Sequence, residues 1–398
     1  MTLSITYTDE QHEIFQKAKQ AFLFSQEERR NILKRMVQEN EFPDQLWKAF
    51  TQYNFMGALI PKKYGGLDVG IVGLAKIIEE YCATGFPNVL PILTQMAIIC
   101  ITRYGDDALK NKFLPQLASG DIKSCIAATE AHSGMNLFAI TTFADNRGDH
   151  FILNGSKIYI GGADICDYMM CLVRTKTPEE HQKEGLRKMI GFSLLLVDPK
   201  TEGTRLEAMP VRGDAGLHPH RITFNNVAVP IENLIGPEHS GAIILFDAAN
   251  LERITMGAAI SGITRYCLYK ASSYAQERQV FSDVPIGQYQ AIQHPLADIQ
   301  IRHESLKLLI EQAATLFDQI ENSNEVGYWA NCTKYLAARL GIDAVDTAIE
   351  TLGGKGFNEE EELIHLWDLV RLFKTAPTSN ALILNYVAEQ KLNLPRSY

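Results

Sequence analysis

Glu252 is the residue of this sequence whose position best suits acid–base chemistry. A helical pattern runs from Ile243 to Ile263, and Glu252 is the only charged member of one stripe along it. The other members of that stripe are apolar: Leu245, Ala249, Met256, Ala259 and Ile263. A carboxylate held among apolar side chains is partly desolvated, which raises its pKa and makes it a better proton acceptor near neutral pH. A structural ion pair with an arginine from another helix explains the same pattern, so the stripe alone leaves both interpretations open.

A second set of residues has the chemistry needed to bind an anionic ring cofactor. Arg278 is followed three residues later by Phe281, and then by Gln290 and Gln293. A guanidinium group binds a pyrophosphate well, and an aromatic ring packs against a cofactor ring. Arginine and glutamine are also common at the ends of ordinary helices. The pattern is therefore compatible with a cofactor site and with a plain helix end.

Gly353, Gly354 and Gly356 form a glycine cluster after a helical pattern. Such glycines let a backbone approach a phosphate closely, and they equally well end a helix. The sequence has no Walker spacing and no G-x-G-x-x-G after a strand, so neither a P-loop nor a Rossmann site is predicted. His218 and His220 have no acidic or cysteine partner at metal-ligand spacing, so no metal site is predicted.

The periodicity of the apolar residues divides the chain into a helical, a β and a second helical region. Apolar residues recur at spacings of three and four from Asp9 to about Leu117, and again after Gly236. Short β-prone runs lie between them, at residues 151–153, 157–160, 168–173, 190–197 and 221–224. Asn154-Gly155 separates the first two runs and predicts a tight hairpin turn there. A chain of 398 residues is expected to form two or three domains.

Composition and charge exclude several classes of protein. With 46% hydrophobic and 21% charged residues, the chain is typical of a soluble globular protein. The net charge is −9 and lysines and arginines are not clustered, so a nucleic-acid partner is not predicted. The N-terminus lacks a signal-like core, and the longest apolar stretch, at residues 89–101, is too short to span a bilayer. Seven scattered cysteines without a CxxC pair are typical of a reduced interior, and we expect a cytoplasmic protein without a membrane segment.

A series of short motifs runs through nearly the whole chain. In order they are Phe42-Pro43-x-x-Leu46-Trp47, Gly57-x-x-x-Pro61-x-x-Tyr64-Gly65-Gly66-Leu67, Thr129-Glu130, Asn154-Gly155-x-Lys157, Val229-Pro230-x-x-Asn233-Leu234-x-Gly236, Arg278-x-x-Phe281, Gln290, Leu296-Ala297-Asp298 and Leu352-Gly353-Gly354-x-Gly356. Each motif is weak alone. In this order and spacing they resemble the acyl-CoA dehydrogenase family.

The resemblance implies an α+β multidomain fold. It consists of an N-terminal helical domain at residues 1–121, a central β-barrel-like or sandwich domain at 122–236 and a C-terminal four-helix bundle at 237–398, assembled as a homotetramer or a dimer. FAD is the implied cofactor, and an acyl-CoA or acyl-carrier-protein thioester is the implied substrate. An electron-transferring flavoprotein is the implied electron acceptor.

The resemblance also implies the reaction and its residues. A glutamate removes the α-proton of an acyl thioester while the β-hydrogen leaves as hydride to flavin N5. Most members carry this glutamate at the position aligned with Ala376, whereas isovaleryl and long-chain subgroups place it in a Leu-Glu-Arg motif, which Leu251-Glu252-Arg253 matches. Arg253 and the N–H of Ala376 are implied to bind the substrate. The implied FAD contacts are Thr129, Gly134, Tyr159, Gly161, Arg278, Phe281, Gln290, Gly353, Gly354 and Thr378.

Several positions depart from the family pattern. Met135 and Asn136 replace a serine and an aspartate, Gly161 replaces a threonine, and Glu350 replaces a glutamine near the glycine cluster. These changes leave two alternatives beside the dehydrogenase. One is an enzyme of the same fold that acts on carrier-bound acyl chains or runs as an enoyl-thioester reductase. The other is a catalytically silent member that keeps the fold for assembly or binding.

Overall fold

The structure is a computed structural model that describes residues 7–212, 215–281, 283–319 and 323–396. The chain folds into two compact units, each drawn from separate stretches of the sequence. The first unit combines Met1–Glu39, Val69–Pro87 and Asn250–Tyr398, and the second combines Asn40–Asp68 and Asn88–Ala249. The division into three domains at residues 121 and 236 stays a prediction, while the predicted order of helical, β and helical regions is confirmed.

The N-terminal region is helical, as its periodicity predicts. Its helices are α1 (Asp9–Ala21), α2 (Gln26–Leu33), α3 (Asp44–Gln52), α4 (Gly70–Cys82), α5 (Leu90–Tyr104) and α6 (Asp107–Ser119). Thr8 begins α1 because its hydroxyl accepts a hydrogen bond from the N–H of Gln11 at 3.1 Å, an N-cap of the usual kind. Apolar residues at helical spacing along α4 are buried: Leu74, Ile77, Ile78 and Tyr81.

The central region forms one eight-stranded sheet, preceded in the chain by the six helices above. Its strands are β1 (Ser124–Ala127), β2 (Phe143–Asn146), β3 (His150–Ile160), β4 (Tyr168–Arg174), β5 (Phe192–Val197), β6 (Thr204–Ala208), β7 (His220–Pro230) and β8 (Leu234–Ile235), with the short helix α7 (Pro178–Lys183) between β4 and β5. The strand order is β6-β7-β3-β2-β4-β5-β8, and β1 pairs in parallel with β4. The strands expected at 168–173, 190–197 and 221–224 are confirmed.

The hairpin expected at Asn154-Gly155 is wrong. Both predicted runs belong to the single strand β3, which pairs with β7 along its length, and the register shifts between Leu153 and Gly155. Gly155 has φ +140°, and an added Cβ would lie 2.6 Å from Cα of Thr142. The glycine is therefore needed for a β-bulge and a close backbone approach, which are the other common uses of glycine in a strand.

The C-terminal region returns to helices. It contains α8 (Gly241–Glu277), α9 (Gln290–Gln319), α10 (Ser323–Leu352), α11 (His365–Leu372) and α12 (Asn380–Lys391), and a two-stranded hairpin, β9 (Gln279–Val280) with β10 (Val284–Pro285), lies between α8 and α9. Apolar residues at helical spacing along α9 are buried: Ile299, Leu306, Ala313 and Leu316. None of the helices in the described part of the chain combines the length and the apolar character that crossing a membrane requires.

Gly262 lets α8 pack closely against α4. A Cβ at this position would lie 2.2 Å from the carbonyl oxygen of Glu79 and 2.8 Å from the N of Ala83, both backbone atoms that cannot rotate away. We expect Gly262→Ala to lower the free energy of unfolding by about 1–3 kcal/mol, as overpacking does. Chemical denaturation measures this, with Gly354→Ala as the control because nothing lies within 4 Å of a Cβ there. Equal midpoints for the two variants would contradict the close packing.

Candidate active site around Glu252

Glu252 lies on α8 in an apolar setting, as its stripe predicts. The side chain is partly buried, and its neighbours along the helix are almost fully buried: Leu251, Ile254, Met256, Ala259 and Ile263. Burial raises the pKa of Glu252 to about 7, although the positive charges of Arg253 and Lys334 act in the opposite direction. Desolvation thus dominates over the two nearby cations, and the carboxyl group titrates in the range where a base exchanges protons readily.

The ion-pair explanation of Glu252 does not fit the contacts. In the described residues, no lysine or arginine lies within the 4.0 Å of a salt bridge to this carboxylate, and no group donates a hydrogen bond to it. A structural ion pair holds its carboxylate with several such bonds. The arrangement therefore favours a carboxylate that is left free to act on another molecule.

Arg253 follows Glu252 on α8, and it is hydrogen-bonded to the segment that precedes α12. Its Nη1 donates to Oδ1 of Asn250 at 3.0 Å and its Nη2 to Oγ1 of Thr378 at 3.2 Å. Burial lowers the pKa of Arg253, and Glu252 partly offsets this. From the sequence, Arg253 is expected at the substrate and Thr378 at the cofactor. The structure brings the two residues together, and with Glu252 they form one cluster.

Lys334 completes this cluster, although none of the sequence motifs includes it. Its Nζ donates to the carbonyl oxygen of Thr378 at 2.5 Å and to Oδ1 of Asn380 at 2.8 Å, and only 1% of the residue is exposed. Burial, with a smaller effect of Arg253, lowers the pKa of Lys334 to about 8. A signal for it was present in the sequence, because Lys334 lies four residues after Ala330 on an apolar face of α10.

Ala376 does not present a free donor in this structure. Its N–H donates to the carbonyl oxygen of Leu372 at 2.9 Å, where α11 ends, and Pro377 after it has no N–H. A substrate oxygen that used the N–H of Ala376 would have to displace this bond. The substrate role implied for Ala376 stays a prediction. It would require the substrate to break the hydrogen bond between Ala376 and Leu372.

Apart from Thr378, the residues implied to contact the cofactor in the first unit are solvent-exposed. Arg278 and Gln290 are exposed, and Phe281, which has φ +55°, is 99% exposed. Gly353 and Gly354 have nothing within 4 Å of an added Cβ. The third glycine of the cluster, Gly356, differs, since a Cβ there would lie 2.7 Å from the carbonyl oxygen of Ile349; Gly356 is thus needed for packing.

Gln293, by contrast, is engaged within its own segment. Its Nε2 donates to the carbonyl oxygen of Gly287 at 2.7 Å. Arg278, Phe281 and Gln290 are therefore accessible to a ligand. Gln293, the fourth residue of the same sequence pattern, instead stabilises the start of α9.

The corresponding residues of the second unit lie around the end of β1 and on β3. Gly134 and Tyr159 are exposed, Tyr159 has φ +58°, and the nearest atom to a Cβ on Gly161 is 3.7 Å away, on Leu217. The carbonyl oxygen of Thr129 accepts a hydrogen bond from the N–H of Ile158 at 2.9 Å, which ties the end of β1 to β3.

A buried ion pair lies beside Thr129, and no sequence pattern predicts that its two members meet. Oε1 of Glu130 lies 2.9 Å from Nζ of Lys157, and the two side chains are 2% and 0% exposed. Burial by itself would raise the pKa of Glu130, but the charge of Lys157 and hydrogen bonds from Thr142 and Thr141 outweigh it and lower the pKa to about 2. Lys157 also donates to the carbonyl oxygen of Ala128 at 3.0 Å. The pair thus fixes the chain on both sides of Thr129.

Three family models match successive parts of the chain. The model described as "Acyl-CoA dehydrogenase, N-terminal domain" matches residues 8–121, the middle-domain model matches 125–227, and the C-terminal-domain model matches 239–392.

Individual proteins give the same result. An acyl-CoA dehydrogenase of Mycobacterium tuberculosis is 32% identical over 363 residues, which cover 91% of each chain. A 3-(aryl)acrylate reductase of Clostridium sporogenes is 30% identical over 366 residues, covering 91% of this chain and 93% of the relative. Among solved structures, PigA with FAD and proline superposes with a TM-score of 0.87 at 23% identity, covering 98% of this chain and all of the other, and so shares the fold.

Proposed function

This chain belongs to the acyl-CoA dehydrogenase family, and we propose that it binds FAD and dehydrogenates an acyl thioester at the α and β carbons, with Glu252 as the base. The observation that carries this proposal is the state of the Glu252 carboxylate. It is partly desolvated, it lacks a hydrogen-bonded partner among the described residues, and its pKa is raised to about 7. A carboxylate in that state suits proton abstraction from carbon better than an ordinary surface glutamate.

The residues present suit FAD. The first unit offers an exposed guanidinium at Arg278, an exposed ring at Phe281 and an exposed amide at Gln290, which match the diphosphate, the ring system and the polar edges of the cofactor. Gly353 and Gly354 leave open space beside the backbone. When bound, FAD supplies the acceptor for the hydride that leaves the β carbon.

Glu252 would perform the proton transfer. Its ionised form accepts the α-proton, so activity depends on the fraction of the carboxyl group that is ionised at the working pH. The buried residues around it, Met256 and Ala259 among them, keep water from competing for the carboxylate. With a pKa of about 7, roughly half of the Glu252 carboxyl groups are ionised at neutral pH. After the transfer, the protonated Glu252 returns its proton to solvent readily.

Reduction of an enoyl thioester is a second candidate, because a relative covering 91% of this chain is named 3-(aryl)acrylate reductase. In that direction the protonated form of Glu252 would deliver the α-proton. Glu252 serves both directions, so the substrate and the electron partner decide whether dehydrogenation or reduction prevails. Mixing the chemically reduced protein with an enoyl thioester measures this direction.

The test of the proposed function is the colour of the purified protein and its response to substrates. We expect a yellow protein whose flavin band is bleached by one or more members of a panel of acyl-CoA and carrier-bound acyl thioesters. On the acid side of its pH profile the bleaching rate should rise around an apparent pKa near 7, because the base must be ionised. A colourless protein that takes up no FAD on reconstitution would instead support the non-catalytic alternative.

A further inference from the structure

We propose that Lys334 is a positioning residue for the reaction at Glu252. Its buried ammonium group holds the segment from Thr378 to Asn380 in place and keeps the Glu252 carboxylate in its charged, proton-accepting form. This inference rests on the proposed function, since it concerns the same base. The sequence motifs place Glu252 and Arg253 on α8 and Thr378 before α12. The proposal adds Lys334, which lies on a third helix, α10.

The contacts of Lys334 are unusual for a buried cation. In the described residues its Nζ binds only neutral oxygens, the carbonyl of Thr378 and the side-chain amide of Asn380, and no carboxylate lies within salt-bridge distance. Burying an ammonium group without an ion-pair partner costs several kcal/mol unless something compensates for it. Fold stability alone would be served as well by a methionine of similar length. The lysine is therefore explained better by a requirement for its charge and its hydrogen bonds.

Two cations, the buried Lys334 and the partly buried Arg253, hold the same short segment. Lys334 binds the main chain of Thr378, and Arg253 binds its hydroxyl group, at 3.2 Å. Asn380, the second acceptor of Lys334, is the first residue of α12. The ammonium group thus joins α10 to the start of α12, and Arg253 joins the same segment to α8 next to Glu252. Losing Lys334 would free this segment on one side.

The charged groups around Glu252 come from three helices. Glu252 interacts with Arg253 on α8 and with Lys334 on α10, Arg253 also interacts with Tyr386 on α12, and Tyr386 in turn with Cys332 on α10. The pKa values of Tyr386 and Cys332 are both raised, mainly by burial, so these two groups are neutral near pH 7. The cluster then holds two cations and one carboxylate. The charge of Lys334 opposes the desolvation that would otherwise protonate Glu252.

The pH profile separates this role from simple packing. In the wild type, bleaching should require an ionised Glu252 and a charged Lys334, which gives a bell-shaped profile with limbs near pH 7 and 8. We expect K334M to move the acid limb upward by about one pH unit, since it removes a nearby opposite charge. The rate at pH 6.5 then falls about eightfold, following the ionised fraction of the base. K334R should keep the acid limb and move the alkaline limb upward, because arginine stays charged.

Arg339→Met is the matched control, because Arg339 is an exposed cation on the same helix, α10. It should leave the profile unchanged. An acid limb of K334M that coincides with the wild type would overturn the proposal. If K334M does not fold, K334R tests the proposal instead. An alkaline limb of K334R at the same pH as in the wild type would then overturn the proposal.

A measurement without turnover keeps this inference separate from the proposed function. Melting temperatures of the wild type, E252Q, K334M and the double variant form a double-mutant cycle. At a pH between the two pKa values, about 7 for Glu252 and about 8 for Lys334, the two changes should be non-additive, because each removes one partner of an attractive pair. Well below a pH of about 7, where Glu252 is protonated, the coupling should vanish. Additive shifts at both pH values contradict a Glu252–Lys334 interaction. Absence of bleaching together with a coupled cycle would reject the proposed reaction and retain the pairing.

Discussion

Replacing Glu252 with glutamine is expected to lower the rate of flavin bleaching by an acyl thioester about 10²–10⁴-fold, the usual contribution of a general base. Glutamine has nearly the same size and fills the same space between the apolar residues of α8, but it cannot accept a proton. Because the carboxylate has no hydrogen-bonded partner among the described residues, its loss leaves no buried cation newly unpaired within bonding distance. The effect should therefore fall mainly on the rate of reduction, and the change in stability should be small by comparison. Stopped-flow absorbance at the flavin band measures it.

The control for this experiment is Glu325→Gln, which changes an exposed glutamate on α10 and should bleach at the wild-type rate. Substrate binding, followed by the small spectral shift of the bound flavin before bleaching, should survive in E252Q. A Glu252→Gln protein that bleaches as fast as the wild type would show that another group removes the proton. The proposed reaction would then lose its base.

Breaking the buried pair of Glu130 and Lys157 should have the largest effect on stability. Both side chains are almost fully inaccessible, and Glu130 also accepts hydrogen bonds from the N–H groups of Thr141, at 2.7 Å, and Thr142, at 3.0 Å. Glu130→Gln leaves the ammonium group of Lys157 buried without an anion. We expect the free energy of unfolding to fall by about 3–5 kcal/mol, the usual cost of removing one partner of a buried pair. Chemical denaturation followed by circular dichroism measures it.

Two comparisons make this prediction specific. Glu232→Gln breaks an exposed pair with Lys112, whose side chains are 63% and 41% exposed, and should cost less than about 1 kcal/mol. The double variant Glu130→Leu with Lys157→Met should lose less unfolding free energy than the two single variants together. Each single change leaves the other partner buried and charged, whereas the double change removes both charges. A Glu130→Gln protein as stable as Glu232→Gln would contradict the burial of the pair.

The contribution of Glu130 should also depend on pH in a defined direction. The pKa of Glu130 is lowered from 4.5 to about 2 in the folded protein, so the folded state holds the ionised form more strongly than the unfolded state does. The stabilisation is therefore complete above pH 4.5 and disappears as the pH falls towards 2. The difference in unfolding free energy between the wild type and Glu130→Gln, measured at pH 7 and at pH 3, should shrink accordingly.

Local pattern was sufficient for the elements and for one candidate functional residue. Helix and strand periodicities depend on neighbours three, four or two residues apart, so they predict α4, α9 and the strands at 168–173 correctly. Glu252 was found in the same way, since a lone carboxylate in an apolar stripe is visible without any tertiary contact. Where local signals were ambiguous the prediction failed. Asn154-Gly155 suits a hairpin turn and a β-bulge equally, and only the pairing of β3 with β7 decides between them.

The sequence by itself determined the order of the elements, the family and the desolvated setting of Glu252, because all three depend on residues close together in the chain or on motifs in a fixed order. Only the tertiary structure decided which side chains meet. Lys334 contacts Thr378 across 44 positions and Lys157 contacts Glu130 across 27. Such contacts depend on how helices and strands pack, and no local period records that. The same holds for the carboxylate of Glu252, which has no hydrogen-bond partner among the described residues, and for the N–H of Ala376, which donates to Leu372. A hydrogen bond is made or left unmade only once the partners are in place.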